Sequence, residues 1–189
     1  MALMAVSAAA AVATTALTIP GIVAYFTGPV TLTLPLSTNQ HTLSDVQLGA
    51  QAHFTSVEVA IPALPTGEAA LLAWAGTLSH ISVLAVLALL FLLAFRLRAA
   101  NLFTAASVWI IGACGAVLAV AGSAAQVLDQ IARGRLAEVL GINARTAGEG
   151  LSFSAHFNMA PVVAGLVLIL VAGVFQFGGR LQKDTEGLV

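Results

Sequence analysis

Histidine is the residue type in this chain best suited to ligand or proton chemistry, and two of its four copies sit against apolar sequence. His80 lies inside a long apolar stretch between Ser79 and Ser82, and His156 leads into another beside Asn158. An ionisable side chain in such a setting is a functional-site hypothesis. With His41 and His53 from an intervening polar loop, a metal or haem site can be drawn, because neutral imidazole is a common ligand. The spacing argues against it. No two histidines stand one helical turn apart, Cys114 is the single cysteine, and no carboxylate adjoins His80. The preferred role for His80 is a hydrogen-bonded packing histidine. His80 and His156 stay as the candidates for cofactor binding, and no cofactor, metal or catalytic residue is assigned.

Other chemistry is thinly represented. Gly148-Glu149-Gly150 has a Gly-x-Gly spacing but lacks the preceding strand and third glycine of a dinucleotide site. There is no phosphate-cradling glycine loop and no nucleophile elbow, so a non-enzyme is expected. A net charge of −1 without a basic run excludes direct nucleic-acid binding. No Asp, Glu, Lys or Arg falls near the middle of an apolar stretch, which disfavours proton-coupled transport by a monomer.

The elements that must position these residues are four apolar stretches, at about 3–26, 71–95, 104–128 and 158–177. Each is long enough to cross a bilayer. The composition agrees: 59% of residues are hydrophobic, 8% are charged, and the mean hydropathy is +1.00. The expected fold is an all-α integral membrane protein of one domain, a four-helix transmembrane bundle running up-down-up-down in the lipid bilayer, with external loops at 27–70 and 129–157. The small-residue run from Ala8 to Ala13 resembles a signal-cleavage site, but no basic region precedes it and apolar character continues to Tyr25 and Phe26. A span is expected there, with Pro20 and Gly21 near its outer end.

Arg96 and Arg98 follow the second stretch, and Arg180 and Lys183 follow the fourth. By the positive-inside rule both segments are cytoplasmic, which places the protein in the cell membrane with both termini inside. The first loop carries Asp45, Glu58 and Glu68 and no basic residue, as suits an external position. Arg133, Arg135 and Arg145 in the second external segment run against the rule.

The first loop predicts strands. Val30, Leu32 and Leu34 alternate with Thr31 and Thr33, and Val57, Val59 and Ile61 alternate with Glu58 and Ala60. A short extracytoplasmic β hairpin-like unit is expected, with Pro35 and Pro62 ending the runs and Ser37 to Ser44 supplying the turn. Such a unit needs support from helix ends or a partner. From Asp129 to Leu140 the third span extends as a helix closed by Gly141, with Ile131, Leu136, Val139 and Leu140 on its apolar side and its charges solvated. Within the span, Gly112, Gly115 and Gly122 allow close helix approach. Trp74 is expected at the outer interface, and Trp109 slightly inside the opposite one.

The cytoplasmic segments carry a resemblance. The link Phe95-Arg96-Leu97-Arg98-Ala99-Ala100-Asn101-Leu102-Phe103-Thr104 has a Phe-Thr pair opening the third span, and the tail has a Gly-x-x-Leu-x-x-Asp-x-Glu pattern at Gly178, Leu181, Asp184 and Glu186. Both resemble the bacterial domain of unknown function 2975 family of small four-span membrane proteins. Leu102 departs from the Gly-x-Pro-Phe-Thr-like lead-in, so that first motif matches in part. The resemblance implies no established activity. It does imply a genomic setting beside a small helix-turn-helix regulator, and hence a membrane partner that holds or releases such a regulator. On the residues themselves, Thr104 is placed to cap the third span, and Arg180 with Asp184 at i,i+4 to support a helical tail. Arg180, Asp184 and Glu186 are the candidate docking residues for a cytoplasmic protein partner. The leading expectation is a non-enzymatic regulator or sensor coupling the external loop to that partner. The alternatives are an accessory subunit of a larger membrane complex, and a small transporter or metal- or haem-binding protein centred on His80 and His156.

Overall fold

The computed structural model describes residues 1–38, 56–98, 104–141 and 151–186, with side chains over 1–35, 56–98, 104–141 and 153–180. Four helices dominate: α1 (Ala2–Thr27), α2 (Thr66–Arg98), α3 (Ala105–Val139) and α4 (Ala160–Glu186). All four are long and apolar enough to cross a membrane. Among the described residues three strands accompany them: β1 (Val30–Thr38), β2 (Ser56–Ile61) and β3 (Leu151–Phe153). The expected turn at Ser37 to Ser44 lies outside the described residues beyond Thr38, as do His41, His53 and Arg145.

The chain divides into two compact units. The first comprises Met1–Pro20, Ala75–Gln126 and Asn158–Val189, and the second comprises Gly21–Trp74 and Val127–Phe157. In the first unit α2, α3 and α4 share a core of Leu89, Ile111, Cys114 and Ala172, with the Cys114 thiol donating to the Ala85 carbonyl at 3.3 Å. The close approach read from glycine holds at two of three positions. A Cβ on Gly115 would lie 2.6 Å from the Gly165 carbonyl oxygen, and one on Gly122 would lie 2.8 Å from Pro161. Gly112 is in ordinary contact with Ala172 at 3.7 Å. Elsewhere the helices present bulky apolar side chains outward, among them Val12 and Leu17 on α1 and Leu166, Leu170, Val174 and Phe177 on α4. Surface of that extent suits hydrocarbon and not water.

In the second unit the three strands form one sheet, ordered β2-β1-β3 and antiparallel throughout. The alternation in β1 is translated faithfully: Val30, Leu32 and Leu34 are buried and Thr31 and Thr33 are exposed. Leu32 pairs with Val59 and Val30 with Ile61, and this apolar face rests on Leu72 of α2 and Ala132 and Leu136 of α3. A two-stranded unit is marginal alone, and the helix flanks supply the support it needs.

Three expectations are corrected here. Pro35 does not end β1, because the strand changes partners there: Leu36 pairs with Phe153, and the Pro35 carbonyl accepts the Ser154 N–H at 3.1 Å. A proline that cannot donate is tolerated at such a junction. The sheet also has a third strand, β3, which is too short to show a period in the sequence. On the extension of α3 the buried stripe is Ala132, Leu136 and Ala137, while Ile131, Val139 and Leu140 are exposed. The small side chain of Ala132 lets the helix lie close to the sheet, and the neighbouring bulky residues face outward. As expected, Gly141 ends this helix: its φ of 70° is the left-handed conformation, and its N–H bonds to the Glu138 carbonyl.

Candidate functional site

His80 sits one helix across from a threonine ladder on α1. Its Nε2 lies 3.0 Å from the Thr15 hydroxyl, and its Nδ1 lies 3.4 Å from that of Thr18. Both hydroxyls bond back to their own helix, Thr15 to the Ala11 carbonyl at 2.7 Å and Thr18 to the Thr14 carbonyl at 2.8 Å. Each hydroxyl can give its hydrogen to its own helix or share it with the imidazole, so the donor in each contact follows the His80 tautomer. His80 thus joins α2 to α1 by a hydrogen bond within apolar surroundings. Ser82 is buried and donates to the Leu78 carbonyl, as an intrahelical hydroxyl does.

His156 belongs to the second unit, is exposed, and has Nδ1 3.2 Å from the Ser154 carbonyl. The Gln130 amide nitrogen donates to the His156 carbonyl at 3.4 Å. Asn158, in the first unit, is held by Gln126: its N–H donates to Gln126 Oε1 at 2.7 Å, and Gln126 Nε2 returns a bond to its carbonyl at 3.0 Å. The Asn158 side chain then accepts the Ala160 N–H at 2.9 Å, at the start of α4. These polar groups brace the entry to α4. No group of three His, Cys, Asp or Glu residues capable of holding a metal occurs among the described residues.

The charges on α3 behave differently from a solvated face. Arg133 pairs with Asp129 one turn earlier at 2.7 Å and donates to the Thr33 carbonyl of β1, also at 2.7 Å. It therefore fastens helix to sheet, while Arg135 and Glu138 are exposed as the sequence suggests.

A cavity lies in the first unit, where the first turns of α3 meet the C-terminal part of α4. Its volume is about 310 Å³, and Val108, Trp109 and Phe175 form its apolar wall while Thr104, Gln176 and Arg180 supply polar groups. Trp109 is 75% exposed. Thr104 caps α3 as expected, its hydroxyl accepting the Ser107 N–H at 3.3 Å. The same hydroxyl accepts from the Arg96 guanidinium, which also donates to the fully buried Ser107 at 3.0 Å. Arg180 lies over the Phe177 ring, 6.0 Å from its centroid. The helix α4 continues through Asp184 to Glu186, and the side chains of these two candidate docking residues lie outside those described.

The sequence reading missed Thr15, Thr18 and Gly165 as partners and did not assemble the cavity. Thr15 and Thr18 sit one turn apart on α1, and that spacing on one face is the signal that pairs them with a polar residue of a neighbouring helix.

Comparison with known proteins returns no matching family model, no matching curated protein and no matching solved structure.

Proposed function

We propose that this chain is a non-enzymatic multi-pass protein of the cell membrane, a four-helix bundle with both termini cytoplasmic. In this reading it acts as a regulator or sensor, coupling its extracytoplasmic sheet to a cytoplasmic protein partner at the tail. The observation that carries it is the shared core of the second unit, in which Val30, Leu32 and Ile61 of the sheet pack on Leu72 of α2 and on Ala132 and Leu136 of α3. Both helices run on without a break into the first unit. A ligand or protein that moves the sheet must move these helices, because a close-packed core transmits displacement. The tail after the fourth span carries Arg180, Asp184 and Glu186 in sequence, and these are the proposed docking residues. Membership of the bacterial domain of unknown function 2975 family, suggested by the link and tail sequences, is part of this proposal.

A second reading, an accessory subunit of a larger membrane complex, draws on α1. Its apolar window is the least buried of the four, leaving Val12 and Leu17 for a neighbouring span or for lipid. The transporter and cofactor-binding alternatives gain no support from His80, whose Nε2 is engaged by Thr15.

A pull-down in native lipid compares the intact protein with an Asp184→Ala/Glu186→Ala variant. A cytoplasmic protein captured by the first and lost from the second supports the regulator. Membrane proteins retained in fixed ratio by both would replace it with the accessory subunit.

A further inference from the structure

We propose that the cavity between the start of α3 and the end of α4 binds one anionic phospholipid, with the lipid phosphate on Arg180 and Thr104 and the adjoining chain against Trp109 and Phe175. The inference rests on the membrane-spanning reading and is independent of any regulatory role.

Charge is the first argument. Arg96, Arg98 and Arg180 gather at this end of the first unit, and among the described residues none of them pairs with a carboxylate. Arg96 donates to two neutral hydroxyls, Thr104 and Ser107, and has no carboxylate partner among the described residues. Thr104 and Arg180 both line the cavity, so the Arg96 guanidinium stands one hydrogen bond from that lining. A cation near a hydrocarbon boundary is costly unless an anion or water meets it. Basic pockets between spans on the cytoplasmic side meet that need with lipid phosphates.

The lining is the second argument, and it selects the source of the phosphate. At about 310 Å³ the cavity is at the small end of ligand sites, which begin at about 300 Å³. It takes a headgroup and the first part of a chain. A free phosphate compound has no use for Val108, Trp109 and Phe175, whereas a phospholipid places its glycerol and upper chain against such residues. On the adjoining face of α4, Leu166, Leu170, Val174 and Phe177 form an exposed apolar ridge at helical spacing that leads to Arg180. The remainder of a chain has a path there. Asp184 stands four residues beyond Arg180 in sequence, and its substitution controls for an acidic residue of the chain itself.

The chain has two tryptophans, so Trp74→Phe leaves Trp109 as the only indole and as a reporter inside the site. The full-length Trp74→Phe protein is reconstituted into nanodiscs of phosphatidylcholine with a minority of phosphatidylglycerol, with bromine on the chains of one lipid or the other. Quenching per brominated lipid should be several-fold greater for phosphatidylglycerol. The excess should vanish in Arg180→Gln, persist in Asp184→Asn, and persist in Arg98→Gln, which removes an equal charge from the same end but does not line the cavity. Equal quenching by both lipids, or an excess that survives Arg180→Gln, would overturn the proposal. So would loss of the excess on adding inorganic phosphate at constant ionic strength, which would make the ligand a soluble phosphate. Quenching by neither lipid would overturn the membrane reading itself, a result distinct from unselective quenching.

Discussion

Replacing Gly165 by alanine should destabilise the protein far more than the same change at Gly173 on the same helix. At Gly165 an added Cβ would lie 2.5 Å from the Gly115 carbonyl oxygen and 2.7 Å from the Ala119 Cβ. Neither neighbour is the free end of a flexible side chain. To reach 3.4 Å, where ordinary contact begins, α3 and α4 must separate locally by about 0.9 Å. That shift also loosens the contacts of Ala172 and Leu168 with the α2–α3 core. Overpacking of this kind costs about 1–3 kcal/mol. At Gly173 no atom lies within 4 Å of the added Cβ, so Gly173→Ala should be neutral or stabilising by up to about 1 kcal/mol through helix propensity. Reversible unfolding in bicelles, followed by steric trapping or denaturing-detergent titration, gives both values on one scale. Equal stabilities for Gly165→Ala and Gly173→Ala would refute the close α3–α4 approach and the helix packing built on it.

A double-mutant cycle between His80→Leu and Thr15→Val, read by the same unfolding assay, should give a coupling of about 0.6 kcal/mol and no more than about 1.7, as interhelical hydrogen bonds in membranes do. A coupling of zero would remove the α1–α2 link. Arg133→Gln breaks the Asp129 pair and the bond to the Thr33 carbonyl, a loss of about 1–2 kcal/mol, so amide exchange in β1 should quicken by about tenfold. Leu32→Ala removes the centre of the sheet core and should cost about 2–5 kcal/mol, detected as earlier thermal loss of the sheet by infrared spectroscopy.

The helices were legible in the sequence because apolar length is a direct signal: the stretches read at 3–26 and 71–95 lie within α1 and α2, and the span and extension read from 104 to Leu140 together make α3. β1 and β2 were legible for a similar reason, since one buried face imposes a period of two. What stayed hidden depends on distant partners. β3 has three residues, and its place beside Leu36, Ser37 and Thr38 is set by pairing that no local pattern announces. The burial of Ala132 in place of Ile131 reflects how near the sheet lies to α3, a tertiary constraint. Thr104 as a cap was readable because the interaction is local. Its bond to Arg96 bridges two helices, and the cavity joins residues some 70 positions apart in sequence. His80 was singled out by its setting alone, and its role as a helix clamp became clear only with Thr15 opposite.

The proposed function requires Thr31 and Leu97 to lie on opposite sides of a membrane. Cysteine accessibility tests it most directly. In a Cys114→Ala background, Thr31→Cys on the exposed face of β1 and Leu97→Cys at the end of α2 are treated with a membrane-impermeant maleimide in intact spheroplasts and again after permeabilisation. The account predicts that Thr31→Cys is labelled in both conditions and Leu97→Cys only after permeabilisation. Labelling of both positions in intact spheroplasts, or the reverse order, would contradict it.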